Sequence, residues 1–131
     1  MVKLTSEIKA DFGKIKIFPF ATSSKAGVPN VAPMGMMSIR DDDETVWIID
    51  NFMQKTLQNV KENPNASFYI WSPETSGAWQ IKGTITVETS GADYEAAKES
   101  AKGRPAKTLL KMKVTSVYSV KPGPTAGAKI L

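Results

Sequence analysis

Apolar and polar residues alternate along several short segments of the chain, a pattern typical of strands with one buried face. The pattern predicts six strands, over residues 15–22, 28–39, 45–50, 66–71, 79–88 and 108–120. Capping residues and apolar repeats predict short helices over residues 6–12, 53–63 and 92–101. We expect Ser6 to cap the first helix. The elements favour a mainly β (α+β) fold, an antiparallel sheet curled into a barrel, because closure removes exposed strand edges.

Prolines and glycines interrupt three of the predicted strands. Pro19 lacks an N–H, so we expect it at a sheet edge or a bulge. Gly83 indicates a bulge or a close approach of another backbone. Pro29, Pro33 and Gly35 weaken the second strand as plain sheet. Either a flat ligand lies against this backbone, or the segment is an edge strand protected from association.

Length and composition limit the possible chemistry. The chain has 131 residues, which predicts a single domain over residues 1–131. It contains no cysteine and no histidine, which excludes disulfides, the usual zinc sites and a serine–histidine triad. We therefore expect no metal, and expect a cofactor to supply any chemistry. No segment resembles a secretory signal or a membrane span, so the expected location is the cytoplasm.

Positive charge is concentrated in the last part of the chain. The net charge is +4, and residues 102–131 contain seven basic residues and no acidic one. Such a segment can be a solvated surface, attract an anionic small molecule or contact nucleic acid. The sequence leaves these three interpretations open.

One strand–loop–helix segment has the features of a phosphate site. A predicted strand ends at Asp50, and Gln54, Lys55 and Thr56 open the next helix. The first turn of a helix carries free N–H groups and a partial positive charge, to which Lys55 adds a full charge and Thr56 a hydroxyl donor. The alternative is a surface lysine and a first-turn threonine with no ligand.

An aromatic and an amide precede the predicted bulge at Gly83. Trp79 is a candidate for stacking on a ring, and Gln80 for pairing with a carbonyl–imide edge. A tryptophan in a strand is more often a core residue, and this remains the simpler interpretation of Trp79.

Taken in order, these motifs resemble the pyridoxamine 5'-phosphate oxidase-like family, whose members are FMN-binding split barrels. The resemblance covers residues 15–124. It rests on four segments: residues 21–33, Asp50-Asn51, residues 55–64 and residues 80–83.

The resemblance implies a six-stranded antiparallel split β-barrel that forms a homodimer, with FMN at the subunit interface. It implies no catalytic side chain. The partner subunit's Tyr118 and Lys121 are candidates to close the site. The residues expected to bind the cofactor are Val31, Ala32, Pro33, Met34, Gly35, Asp50, Asn51, Phe52, Gln54, Lys55, Thr56 and Gln80.

The chain departs from true pyridoxamine phosphate oxidases in being shorter and in lacking histidine, so oxidation of vitamin B6 is not expected. The predicted function is an FMN-binding oxidoreductase or electron-transfer protein with a small-molecule redox partner. One alternative is a deazaflavin (F420)-dependent reductase, whose anionic cofactor tail would meet residues 102–113. Another is a non-enzymatic flavin carrier or a nucleic-acid-binding barrel. Nucleic acid is disfavoured because the basic residues lie apart from the strand aromatics Phe68, Tyr69 and Trp71.

Overall fold

The computed structural model describes residues 2–131, whose strands all belong to one antiparallel sheet. No helix in this part of the chain is long and apolar enough to cross a membrane. The helices are α1 (Ser6–Phe12), α2 (Lys55–Glu62) and α3 (Ala92–Ser100). The strands are β1 (Phe18–Ser23), β2 (Pro29–Met34), β3 (Met37–Ile39), β4 (Thr45–Asp50), β5 (Asn65–Ile70), β6 (Trp79–Glu88), β7 (Thr108–Ser119) and β8 (Ala128–Lys129).

The strand order shows why the sheet is curled. The order is β2-β1-β5-β6-β7-β4-β3, with β8 added beside β7. β2 and β3 therefore lie at opposite ends of the sheet, yet only Gly35 and Met36 separate them in the chain. Three extended residue steps span about 11 Å at most. The two ends of the sheet must lie side by side, which gives the predicted split barrel.

Most strand boundaries agree with the sequence pattern to within one residue, with two corrections. The strand predicted over residues 15–22 begins only at Phe18. β4 and β6 have the predicted bounds. The single strand predicted over residues 28–39 is wrong, because the chain crosses from one sheet edge to the other at Gly35 and Met36. With β3 and the short β8 the sheet has eight strands, not six.

The hydrophobic core fills the inside of the curled sheet. Alternate side chains of the longer strands point inward, including the fully buried Phe20, Ile48, Ile81 and Leu110. Helices α1 and α2 pack against this core through Ile8 and Val60. Helix α3 instead covers part of the outer surface, where Ala97 packs with Trp47 and Leu109 in a second small cluster.

The rest of the outer surface of the sheet is not covered by a helix. Its residues lie opposite one another across the strands, in a row that runs from β2 to β7 and a second row that runs from β5 to β8. Both rows are partly or fully exposed to solvent. We call this surface the open face; it comprises Val31, Ala21, Ser67, Lys82 and Ser116, then Tyr69, Gln80, Tyr118 and Lys129.

Two local predictions differ from the structure. Pro19 is in β1, which lies inside the sheet and not at its edge. The pairing of β1 with β5 begins only at Phe20, and Pro19 faces Pro33 in β2, so its missing N–H removes no bond to β5. Helix α1 is capped by Thr5 instead of Ser6, because the Thr5 hydroxyl accepts a backbone hydrogen bond from the first turn.

The bulge predicted at Gly83 is present. The register of β6 and β7 shifts between Lys82 and Gly83. A Cβ atom at Gly83 would collide with the carbonyl oxygen of Lys113 and lie 2.9 Å from Cγ of Met112. Glycine is required here because the two backbones approach too closely for a side chain.

We expect Gly83→Ala to lower the free energy of unfolding by about 2 kcal/mol, the usual cost of overpacking a core. Gly13→Ala is the matched control, since Gly13 has helical dihedral angles and its nearest Cβ neighbour would be 3.5 Å away. Urea denaturation of both variants tests this. Equal stability of the two would show that the β6–β7 pair tolerates the methyl group.

Asp11, near the end of α1, connects that helix through hydrogen bonds to the loop before β6. The carboxylate is buried and accepts hydrogen bonds from the backbone N–H of Ser76 at 2.9 Å and of Gly77 at 3.1 Å. It also accepts from Nε1 of Trp79 at 2.8 Å. Burial alone would raise the pKa of Asp11, but the bonds from Trp79, Ser76 and Gly77 outweigh burial and hold the pKa well below its usual value. Trp79 is thus a structural residue, as the simpler interpretation held.

Because the folded-state pKa of Asp11 is lowered, its contribution to stability is complete above its unfolded pKa of about 3.9 and is lost as the pH falls below that value. We expect Asp11→Asn to lower stability at pH 7 by about 2 kcal/mol, the scale of hydrogen bonds to a charged group. The difference from the unmodified protein should shrink toward pH 2. Thermal unfolding between pH 2 and 7 measures it, with the exposed Asp41→Asn as control. A pH-independent difference would contradict the assignment.

Candidate functional site

A cleft of about 700 Å³ opens where the two ends of the sheet meet. Its walls come from the segment before β1, from β2 and the β2–β3 connection, from the end of β4 and from the start of α2. The lining residues are Lys16, Ile17, Asn30, Ala32, Pro33, Met34, Gly35, Met36, Ile49, Asn51, Phe52, Met53, Gln54, Lys55, Thr56 and Arg104.

Hydrogen bonds between side chains fix α2 against the β1–β2 hairpin. Thr22 and Asn30 face each other across the hairpin. Nδ2 of Asn30 donates to Oγ1 of Thr56 at 3.3 Å, and Nδ2 of Asn59 donates to Oγ1 of Thr22 at 3.1 Å. Thr56 and Asn59 are one turn apart on the same side of α2. This polar clamp, formed by the two pairs, holds the first turn of α2 beside β2.

The first turn of α2 is free to bind an anion. Gln54 occupies the N-cap position without a capping hydrogen bond from its side chain, and the first turn contains no acidic residue. The backbone N–H groups there carry partial positive charge, to which Lys55 adds a full charge. Oγ1 of Thr56 accepts from Asn30, so its own proton remains available for donation.

The charge of the cleft lining is entirely positive. Lys16, Lys55 and Arg104 line it, and no aspartate or glutamate does. Within residues 2–131, no salt bridge involves these three cations. With no carboxylate in the lining to offset them, the cleft is suited to a negatively charged ligand.

Two polar residues at the end of β4 shape the loop before α2. Oδ1 of Asp50 accepts a hydrogen bond from the backbone N–H of Met53 at 2.7 Å, and this bond stabilises the loop. Asn51 lines the cleft, and its Nδ2 donates to Sδ of Met36 at 3.0 Å. Oδ1 of Asn51 is buried and has no hydrogen-bond partner in the described chain. This oxygen is thus an unsatisfied acceptor in the wall of the cleft.

The remaining lining of the cleft is mostly apolar. Ala32, Pro33 and Met34 form a wall along β2, and Phe52 stands at the rim with 83% of its surface exposed. An apolar wall next to the positively charged first turn of α2 suits a flat aromatic ligand that carries an anionic group.

Most of the residues predicted from the sequence come together here. Val31 is 67% exposed and lies on the open face, not in the cleft. Gln80 also lies on the open face, between Tyr69 and Tyr118, and Asp50 supports the loop without lining the cleft. The predicted residues that do line the cleft are Ala32, Pro33, Met34, Gly35, Asn51, Phe52, Gln54, Lys55 and Thr56.

The sequence prediction missed residues that reach the cleft from distant parts of the chain. Asn30 was missed because its role depends on its contact with Thr56. Lys16 belongs to the segment before β1, and no sequence motif identifies it as a binding residue. Of the basic residues after position 101, Arg104 lines the cleft, whereas Lys111 is paired with carboxylates at 3.0 and 2.7 Å. The charge asymmetry was a signal for Arg104, but it did not single out that residue.

Solved structures of several differently named proteins share this fold. A Group A Streptococcus HupZ structure matches with a TM-score of 0.82 and 28% identity, over 95% of this chain and 99% of that one. An FMN-binding protein from Syntrophomonas wolfei matches with a TM-score of 0.73 and 15% identity, over 88% and 84%. An F420 reductase matches with a TM-score of 0.59 and 18% identity, over 77% and 87%. The last two likenesses show the fold alone.

Sequence comparison identifies the family. An uncharacterized protein of Methanocaldococcus jannaschii is 36% identical over 136 residues, an alignment that covers 99% of this chain and 89% of that protein. A family model described as pyridoxamine 5'-phosphate oxidase matches residues 4–121. The chain therefore belongs to the pyridoxamine 5'-phosphate oxidase-like family.

Proposed function

We propose that the chain binds FMN in the cleft and takes part in redox chemistry with a small-molecule partner. The observation that carries this proposal is the uncapped first turn of α2, with Lys55 and the Thr56 hydroxyl at a cleft that no carboxylate lines. The phosphate of FMN would meet this turn, as phosphates do at helix N-termini.

The rest of the cleft suits the other part of the cofactor. The apolar wall of Ala32, Pro33 and Met34 offers packing for a flat ring system. The buried, unpartnered Oδ1 of Asn51 is an acceptor for an imide N–H, a group that the flavin ring carries. When bound, the flavin supplies the electron or hydride transfer.

The chain itself would bind, orient and tune the cofactor. Its cleft lining contains no carboxylate, and the chain has no histidine. The lining thus has no group that ordinarily exchanges protons near pH 7. Side-chain acid–base catalysis is not part of the proposal, and Lys55, Thr56 and Asn51 act as binding residues.

The test compares FMN with riboflavin, which lacks the phosphate. We expect Lys55→Ala combined with Thr56→Val to weaken FMN binding by roughly 10- to 100-fold, since hydrogen bonds to charged groups contribute about 1.5–3 kcal/mol. Riboflavin affinity should change little. Flavin fluorescence titration measures both constants.

Lys61→Ala is the matched control, because Lys61 carries the same charge at the opposite end of α2. Circular dichroism checks that the variants remain folded, since Thr56→Val removes the acceptor of Asn30. Equal losses of FMN and riboflavin affinity in folded protein would contradict the phosphate assignment.

A deazaflavin is the second candidate cofactor. Lys16 and Arg104 add positive charge beyond the first turn of α2, which an anionic cofactor tail would meet. The purified protein distinguishes the two, because bound flavin absorbs near ~450 nm and a deazaflavin near ~420 nm. Mass spectrometry of the released cofactor settles its identity.

We further propose that a second copy of the chain covers the open face. Ala21 and Ser67 are neighbours on this face, and their small side chains allow another sheet to approach there. Val31 belongs to β2, and four other residues of that strand line the cleft: Asn30, Ala32, Pro33 and Met34. A partner subunit there would lie at the rim of the cleft, and it would bury Gln80.

The open face also changes the argument against nucleic acid. Nζ of Lys82 lies 5.0 Å from the centre of the Tyr118 ring, a contact between a basic residue and a strand aromatic that lies outside the Phe68, Tyr69 and Trp71 set on which the expectation rested. Basic and aromatic side chains on a sheet can also stack nucleotides. The adjoining cleft favours the homodimer, and the oligomeric state decides between the two.

We expect Ser67→Arg, which places a large charge in the centre of the open face, to convert a dimer into a monomer and to weaken FMN binding. Glu95→Arg, on the exposed surface of α3, is the control. Sedimentation velocity measures the mass of each variant. An unmodified protein that is monomeric at micromolar concentration and binds oligonucleotides in a salt-dependent way would contradict the dimer.

A further inference from the structure

The cations of the cleft lie at two separate places. Lys55 belongs to the first turn of α2, which Thr56 and Asn30 tie to the start of β2. Lys16 belongs to the segment that meets the end of β2: a Cβ atom at Gly35 would lie 3.9 Å from the backbone oxygen of Lys16. The two lysines therefore have backbone positions near opposite ends of β2.

The backbone positions that carry Lys55 and Lys16 lie far apart. Asn30 and Gly35 are five residues apart along an extended strand, roughly 16 Å at about 3.3 Å per residue. Charges are largely screened beyond about 10 Å at 0.1 M salt. A phosphate at the first turn of α2 would lie well away from the backbone that carries Lys16, which leaves this lysine for a second anion.

Arg104 adds a second cation to the wall of the cleft that β4 forms. It follows a turn in which Lys102 has φ 52° and Gly103 has φ 84°. The backbone N–H of Lys107 donates to the carbonyl oxygen of Asp50 at 2.9 Å, which ties this loop to the end of β4. Nε of Arg104 donates to the carbonyl oxygen of Ala101 at 3.3 Å, which leaves the two terminal nitrogens of the guanidinium for a ligand.

The same end of the cleft offers room beside the proposed ring. Met36 and Ile49 line the cleft there, and their backbones are joined by a hydrogen bond of 3.0 Å. Ile17 is 57% exposed and also lines the cleft. A small molecule at this place would meet apolar surface and two cations.

We propose that Lys16 and Arg104 form a second anion subsite, which recognises a carboxylate- or phosphate-bearing redox partner next to the bound flavin. This inference rests on the proposed function and adds the charge class of the second substrate. An uncharged partner would gain nothing from these two residues.

Sulfite is the first probe of the subsite, used on the FMN-loaded protein. Its sulfur lone pair forms a bond to N5 of the flavin ring, the ring takes up the electron pair and a proton from water, and the flavin absorbance is lost. We expect Lys16→Gln and Arg104→Gln each to weaken sulfite binding about tenfold or more. Lys25→Gln, a charge change outside the cleft lining, should leave sulfite affinity unaltered.

Inorganic phosphate is the second probe, because it does not react with the ring. At constant ionic strength set with KCl, phosphate should raise the apparent dissociation constant for sulfite in the unmodified protein and not in the two cleft variants. FMN affinity, measured separately, should stay within about twofold in all variants, since neither residue belongs to the first turn of α2.

The outcomes separate the two proposals. Failure to bind FMN at all would overturn the proposed function and the subsite together. Normal FMN binding with equal sulfite affinity in all variants, or with no sulfite adduct, would overturn the subsite alone. Weaker sulfite binding without competition by phosphate would also overturn it, and would assign the two cations to the negative charge of the reduced ring.

Discussion

The two-residue connection between β2 and β3 is the constraint on which the structure depends. It joins strands at opposite ends of the sheet, so the sheet cannot remain open and flat. The closure leaves a seam without hydrogen bonds between β2 and β3. The cleft lies along this seam, with Met34, Gly35 and Met36 in its wall. The same covalent link therefore determines both the barrel and the position of the site.

Polar interactions then give the seam its chemistry. The polar clamp sets the register of α2 on the β1–β2 hairpin, which places an uncapped helix end beside β2. Asp50 supports the loop that leads into this helix. Thr22, Asp50, Thr56 and Asn59 are buried, and the hydrogen bonds that they make lower the cost of burying polar groups. The fold thus stabilises the binding geometry before any ligand arrives, which lowers the entropic cost of binding.

The positive lining of the cleft links binding to stability. Lys16, Lys55 and Arg104 line one cleft in which no carboxylate offsets their charge. An anion that binds only to the folded chain compensates this charge and stabilises the fold in proportion to the logarithm of its concentration. Lys111, by contrast, is paired with Glu88 and Asp93, and these bonds raise its pKa. The charge of Lys111, beside α3, is thus neutralised by carboxylates of the chain itself. The charges of the three cations that line the cleft remain available to a ligand.

The sequence by itself predicted the three helices, most of the strands, the bulge at Gly83 and the cleft residues Asn51, Phe52, Gln54, Lys55 and Thr56, because these follow from local periodicity, from turn residues and from helix-end chemistry. Only the tertiary structure showed that residues 28–39 form two strands, since their pairing partners are far away in the chain. It also brought Lys16, Asn30 and Arg104 to the cleft and placed Val31 and Gln80 outside it. Alternation along a strand tells which side chains share a face. Which face lines a cleft depends on how the whole sheet curls, and that is a property of contacts between distant residues.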